Sequence, residues 1–127
     1  MAAELAPFEK VGQAFLGAYF KRMVEARSTI GSLYGPNSLL TFEGTKVKGA
    51  ENISKKLNSQ PKMQFRRDKI DIQPSGQGVL IVVTGMVKIE GEANPVKFSQ
   101  TFILSPIPGK AGSFFCSNEI FRFNYGA

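Results

Sequence analysis

Between Pro7 and Glu25 the apolar residues recur every three or four positions. Phe8, Val11, Phe15, Tyr19 and Met23 make one stripe, and Leu16, Phe20 and Val24 widen it. That period predicts a long amphipathic helix with much of its surface buried. Pro7 suits the first turn, where its missing N–H costs nothing. Arg27 to Tyr34 predicts a second, short helix, ended by Gly-Pro-Asn. Leu39–Phe42 and Thr45–Lys48 flank a Glu-Gly pair and predict a hairpin. Gly49 to Gln60 predicts a third helix with Ile53 and Leu57 turned inward, stopped by Pro61.

Beyond Pro61 the pattern changes to sheet. Met63 to Ile72 reads as extended, and "QPSGQG" as a turn. Val79 to Glu90 predicts a long strand, apolar on both faces in its first half. Such a strand must be covered twice. Helices can cover one face; the other needs a further layer, for which a second subunit is the natural candidate. "GEAN" turns the chain, and Pro95 to Leu104 returns with Val96, Phe98, Gln100 and Phe102 on one face. Lys97, Ser99 and Thr101 make the other face wetter. After the loop "SPIPGKAG", Ser113 to Tyr125 predicts the last strand. The order α-α-β-β-α-β-β-β-β predicts a single α+β domain over residues 1–127, with three helices on one side of a curved sheet.

Composition narrows the chemistry. The chain has 127 residues and no histidine, which removes the commonest general base and metal ligand. The single cysteine, Cys116, excludes an internal disulfide and a zinc cluster and fits a reducing compartment. No phosphate-binding loop and no calcium-loop spacing occurs. No apolar run is long enough to cross a membrane, and the N-terminus lacks the pattern of a signal peptide. The "NIS" at Asn52 matches a glycosylation acceptor, and without secretion it is expected to be a chance match. The formal net charge is +6, but the basic residues are dispersed as pairs such as Lys55-Lys56 and Arg66-Arg67. No stripe of cations with interleaved aromatics marks a nucleic-acid face. No cofactor is expected.

One acid stands out. Period two places Phe115, Ser117, Glu119, Phe121 and Phe123 on one face of the last strand. A carboxylate buried among rings has a raised pKa and can serve as a base. The plain alternative is that Glu119 pairs with a backbone N–H or with Arg122, or lies at a bulge. Phe42, Val96, Phe121 and Phe123 can line one apolar concavity, or simply fill a core. Glu90 and Glu92 lie at the turn beside the returning strand.

The ordered series "FEKVGQAFLGAYF", "SLLTFEG", "KGAENISKKLNSQP", the Gly85–Pro95 hairpin and "CSNEIFRF" resembles the nuclear transport factor 2 family over nearly the whole chain. The resemblance implies a cone of curved antiparallel sheet, a cystatin-like roll, enclosing a cavity beside its helices. It implies a non-enzymatic homodimer that binds the GDP form of Ran and the Phe-Gly repeats of nucleoporins. Such a carrier works in cytoplasm and nucleus, at the nuclear pore, and takes neither nucleic acid nor membrane as partner. By the same resemblance Phe42 is a wall of the cavity mouth and Glu43 a rim acid. Glu90 and Glu92 are two further mouth acids, and Val96, Phe121 and Phe123 match cavity-lining positions. Phe8 occupies the place of the aromatic that helps grip Phe-Gly repeats. Two other readings stay open: an enzyme of the same superfold with Glu119 as base, and an mRNA-export adaptor subunit that does not bind Ran.

Overall fold

The computed structural model describes residues 6–124. Helix α1 (Pro7–Glu25) starts where the Glu9 carboxylate accepts the Ala6 N–H at 3.1 Å. It buries Phe15, Leu16, Tyr19, Phe20 and Met23 of the stripe read from the sequence, with Phe8 and Val11 half-buried; Val24 is 50% exposed and does not widen the stripe, because it turns away from the sheet at the last turn. Arg27–Leu33 forms a 3-10 helix and leads into β1 (Tyr34–Phe42). A two-residue turn connects β1 to β2 (Thr45–Lys48). Helix α2 (Ala50–Asn58) follows, burying Ile53 and Leu57. The remaining strands are β3 (Met63–Ser75), β4 (Gly78–Ile89), β5 (Val96–Pro106) and β6 (Phe114–Asn124).

All six strands make one sheet, in the order β2-β1-β6-β5-β4-β3. One pairing departs from the antiparallel expectation: β1 and β6 run parallel, with Phe42 beside Phe121. The sheet is therefore mixed. β1 enters from the helical layer while β6 returns from β5, and both point the same way. Strand β3 also runs three residues past Ile72, because Gln73–Ser75 still pair with Gly78–Leu80.

Two bulges shape the sheet. In β3 the register shifts between Arg67 and Lys69, opposite Gly85. A Cβ on Gly85 would lie 1.9 Å from the Arg66 carbonyl oxygen, so only glycine fits there. In β6 the register shifts by one residue against Ile103–Leu104, leaving Ser117 as the extra residue. This corrects the period-two reading of the last strand. Cys116 and Glu119 are both buried, with Phe121 on Glu119's face, whereas Phe115 and Ser117 fall out of that alternation.

The core is aromatic and continuous. Phe20 meets Phe65 at 5.1 Å between ring centroids, Phe65 meets Phe98 at 5.5 Å, and Phe98 meets Phe121 at 5.7 Å. Phe121 in turn meets Phe42 at 4.8 Å. On the helical side of β4, Val79, Ile81, Val83 and Val87 are fully buried. On its other side Leu80, Val82 and Met86 are only half-buried, as expected of a strand needing two covers. The same outer face leaves Leu39 49% and Ile120 51% exposed. With Thr41, Thr101, Ile103 and Asn118 they border a recess of about 220 Å³.

Candidate functional site

The β1–β2 turn and the end of β6 bring four of the anticipated residues together. Phe42 lies flat on Phe121, with 4.8 Å between centroids and 6° between planes. Phe123 stands edge-on to both, at 6.0 Å from Phe42 and 4.9 Å from Phe121. The parallel pairing of Phe42 with Phe121 sets this stack, since directly paired residues share a sheet face. Phe42 is 4% exposed and Phe121 1% exposed, so these two rings belong to the core. Phe123 is half-buried and forms the outer part of the group. Val96, half-buried at the start of β5 opposite Val87, packs on the same core.

Glu43 sits in the turn with φ of 49°, and Gly44 follows with φ of 83°. Two positive φ values match a tight hairpin whose favoured residues are Asn-Gly. A Glu in the left-handed region costs about 1–2 kcal/mol relative to its ordinary conformations. Its carboxylate accepts the Phe123 N–H and lies 3.9 Å from the Arg122 guanidinium. The acid thus ties the hairpin to β6 and keeps a partly exposed negative group beside the rings.

Glu90 and Glu92 lie on the β4–β5 turn, at the end of the sheet where Phe123 pairs with Phe98 and Val96 with Val87. Both are exposed in the β4–β5 turn, and the Lys88 ammonium donates to the carbonyls of Glu92 and Ala93 at 3.2 and 3.0 Å. They line a recess of about 300 Å³ with Lys62, Met63, Gln64 and Lys88, a set that shares no residue with the ring stack. Phe8, in the first turn of α1, is half-buried against the core. One turn on, Val11, Ala14 and Phe15 form a groove of about 390 Å³ with Lys10, Leu33, Gly112 and Phe114.

Glu119 is 1% exposed and fully engaged. Tyr19 and Gln100 donate to Oε2 at 3.0 and 2.7 Å, and the Tyr34 hydroxyl donates to Oε1. Its partners are therefore neither a backbone N–H nor Arg122. Burial pushes its carboxyl above the usual carboxylate range, against the pull of the three donors. Tyr19 and Tyr34 are pushed up by burial first and by the Glu119 charge second, so they remain protonated donors at neutral pH. The acid holds α1, β1, β5 and β6 together from the inside, and both its oxygens are occupied. The signals for this network were Tyr19 within the Phe stripe of α1 and Gln100 among the inward Phe98 and Phe102. Each is a polar group at a core position that needs a partner. Lys56 was also missed: its ammonium lies 5.8 Å from the centroid of Phe42.

The family model described as the nuclear transport factor 2 (NTF2) domain matches residues 11–123. A nuclear transport factor 2 of Emericella nidulans is 38% identical, over 97% of this chain and 100% of its own length. The solved nuclear transport factor 2 of Cryptosporidium parvum superposes with a TM-score of 0.83 at 38% identity, covering 97% of this chain and 100% of that one. The C. albicans Mtr2-Mex67 M domain complex superposes with a TM-score of 0.75 at 16% identity, covering 91% of this chain and 94% of that one, a likeness of fold alone. The relatives named at 38% identity are transport factors rather than enzymes. The chain belongs to the nuclear transport factor 2 family.

Proposed function

We propose that this protein is a carrier of nucleocytoplasmic transport: a homodimer that binds Ran in its GDP form and the Phe-Gly repeats of nucleoporins. It moves between cytoplasm and nucleus through the pore and brings Ran back to the nucleus. The observation that supports this most is the Phe42–Glu43 turn, where an aromatic ring and a carboxylate meet at the end of a ring stack. An apolar side chain from Ran packs at the half-buried Phe123, the lip of this stack over the buried Phe42 and Phe121, and a neighbouring basic group meets Glu43. Burying 100–200 Å² of such a side chain gives about 2–4 kcal/mol before ordering costs. The rim charges set register and encounter rate more than affinity. Glu90 and Glu92, on the β4–β5 turn at the same end of the sheet, are the two further acids of the mouth. Val96 supports the ring stack from β5. Phe8 and the groove beyond it offer a shallow seat for a repeat phenylalanine, whose weak binding suits passage through a channel full of repeats.

The test is capture by Ran loaded with GDP or with a GTP analogue. We expect GDP-selective capture by the wild type, a loss of about tenfold in affinity (about 1.4 kcal/mol) for Glu43→Gln, and no capture by Glu43→Lys. The Gln variant can still accept the Phe123 N–H, so its loss reports the charge and not the turn. Equal capture of both nucleotide forms rejects this reading.

The second copy lies on the outer sheet face. Leu39 and Ile120 are the large apolar side chains left open there, beside half-buried Leu80, Val82 and Ile103. We expect a sedimentation mass of two chains, falling to one for Ile120→Asp. A wild-type mass of one chain removes the homodimer from the proposal.

A further inference from the structure

We propose that one half of the outer sheet face is a docking strip for an acidic peptide segment, extended and with carboxylates at alternate positions. Directly paired residues share a face, so the register sets out rows across the sheet. Lys69, Thr84, Ser99 and Arg122 form one row from β3 to β6. Arg66, Met86, Lys97 and Asn124 form the next. All four cations of these rows are exposed. The bulge in β3 makes the grouping possible. Asp68 is the extra residue, so Arg66 and Lys69, three apart in the chain, emerge on the same face. Without it, period two would turn Lys69 inward. Beside Lys97 the surface opens into a recess of about 260 Å³, lined by Gln64, Phe65, Arg66, Met86, Lys88 and Pro95.

The strip is short of anions. Arg66 gives two N–H groups to Asp68, at 2.7 and 3.1 Å, and Arg122 lies 3.9 Å from Glu43. Lys69 and Lys97 form no ion pair among the described residues. Asp71, one row on, is the only acid paired into this face among the described residues. The apolar half of the face, around Leu39 and Ile120, is the part offered to a second copy. A second copy suits the cationic rows badly, because it brings the same cations and only Asp71 to meet them. The strip is left for a partner of opposite charge. Lys97 and Arg122 stand on neighbouring strands and neighbouring rows. Standard sheet spacings put their Cα atoms about 8 Å apart, close to the roughly 7 Å between alternate residues of an extended chain. Thr84 and Ser99 add hydroxyl donors for carboxylate oxygens. Neither row holds an aromatic side chain on which a nucleobase could stack, which favours a peptide over single-stranded RNA. Exposed ion pairs are individually weak, so the strip holds its partner through several at once.

The experiment is a fluorescence-anisotropy titration of two labelled peptides with the whole protein, one peptide alternating Asp and Ser and one alternating Asn and Ser. The wild type should bind the acidic peptide and not the neutral one, and more weakly as salt rises. Lys69→Gln and Lys97→Gln should each weaken that binding about two- to fivefold, the scale of one exposed ion pair. Lys21→Gln removes the same charge from the exposed side of α1 and should leave it unchanged. Backbone amide NMR shifts during the titration should centre on Thr84, Ser99 and Lys97. No binding of the acidic peptide overturns the proposal, and so do shifts centred elsewhere. An equal loss in Lys21→Gln overturns it too, since net charge alone would then explain the binding. Tighter binding of an oligouridylate at the same amides overturns the choice of a peptide. The strip lies on the opposite sheet face from Phe42 and Phe121, so Ran-GDP capture can succeed or fail independently of it.

Discussion

Glu119→Ala should lower the unfolding free energy by about 3–5 kcal/mol, because it strands two buried hydroxyl donors at about 1–3 kcal/mol each, takes one of the two bonds of the Gln100 amide, which keeps the one to the Tyr19 hydroxyl, and empties a buried site. The donors are the Tyr19 and Tyr34 hydroxyls and the Gln100 amide, all aimed at one carboxylate. A loss of that size is a large part of the roughly 5–15 kcal/mol that a domain has in total. Urea unfolding at neutral pH measures it; a change under 1 kcal/mol would mean the network contributes nothing. Glu119→Gln adds a sign test. The folded-state pKa of Glu119 is raised by burial, so the native state holds the proton at a pH where the unfolded chain has released it. The stability this provides is full below the unfolded carboxylate range and is lost as pH rises through the folded value. The wild type should therefore lose stability relative to Glu119→Gln as pH rises from the ordinary carboxylate range toward neutrality. Asp68, whose pKa is lowered by the Arg66 hydrogen bond, works in the opposite direction but is common to both proteins and cancels in the difference. A difference that is flat with pH overturns the assignment. A buried acid with this role is a structural tie, which agrees with the transport-factor names of the relatives and not with an enzyme's base.

Most of the architecture was legible because the helices and strands bury strongly periodic faces. The α1 stripe, the Ile53–Leu57 face of α2 and the both-sided apolar run of β4 each left one physical solution. The bulge at Ser117 was not legible, because one inserted residue leaves no mark in composition while it inverts the faces on either side. It is why Phe115 was placed with Glu119 and Cys116 was not. The parallel β1–β6 pairing was hidden for a different reason: it joins segments far apart in the chain, and its register decides which rings meet. At the site, the local pair Phe42-Glu43 and the β6 rings could be read from the sequence. The positions of Glu90 and Glu92 could not, since a turn acid's direction depends on how the β4–β5 hairpin bends. Lys56 escaped for the same reason as Tyr19 and Gln100. Its meaning lies in what stands opposite, and the sequence lists only its neighbours along the chain.

The ring stack itself contains a division of labour that mutation can resolve. Phe121→Ala should cost about 3–5 kcal/mol, the usual range for emptying a buried phenylalanine site. Phe121 is 1% exposed and touches the rings of Phe42, Phe98 and Phe123, so its cavity cannot close without moving three neighbours. Phe123→Ala removes a half-buried ring at the outer end and should cost about 1–2 kcal/mol, mainly the lost ring pairs and part of the area. The functional order should be the reverse of the stability order. Phe123→Ala keeps the fold and loses Ran-GDP capture, while Phe121→Leu, which keeps most of the volume, retains capture at reduced stability. Urea midpoints with parallel capture assays test both halves. Should Phe121→Ala prove no more costly than Phe123→Ala, the inner ring is not packed as core. Should Phe123→Ala leave capture untouched, the partner does not stack at this end of the sheet. The physical reason for expecting the split is that a carrier's socket must be rigid at its floor and adaptable at its lip. Phe121 is wedged between Phe42 and Phe98 and has nowhere to move, whereas Phe123 forms the outer edge of the stack and is only half covered by it.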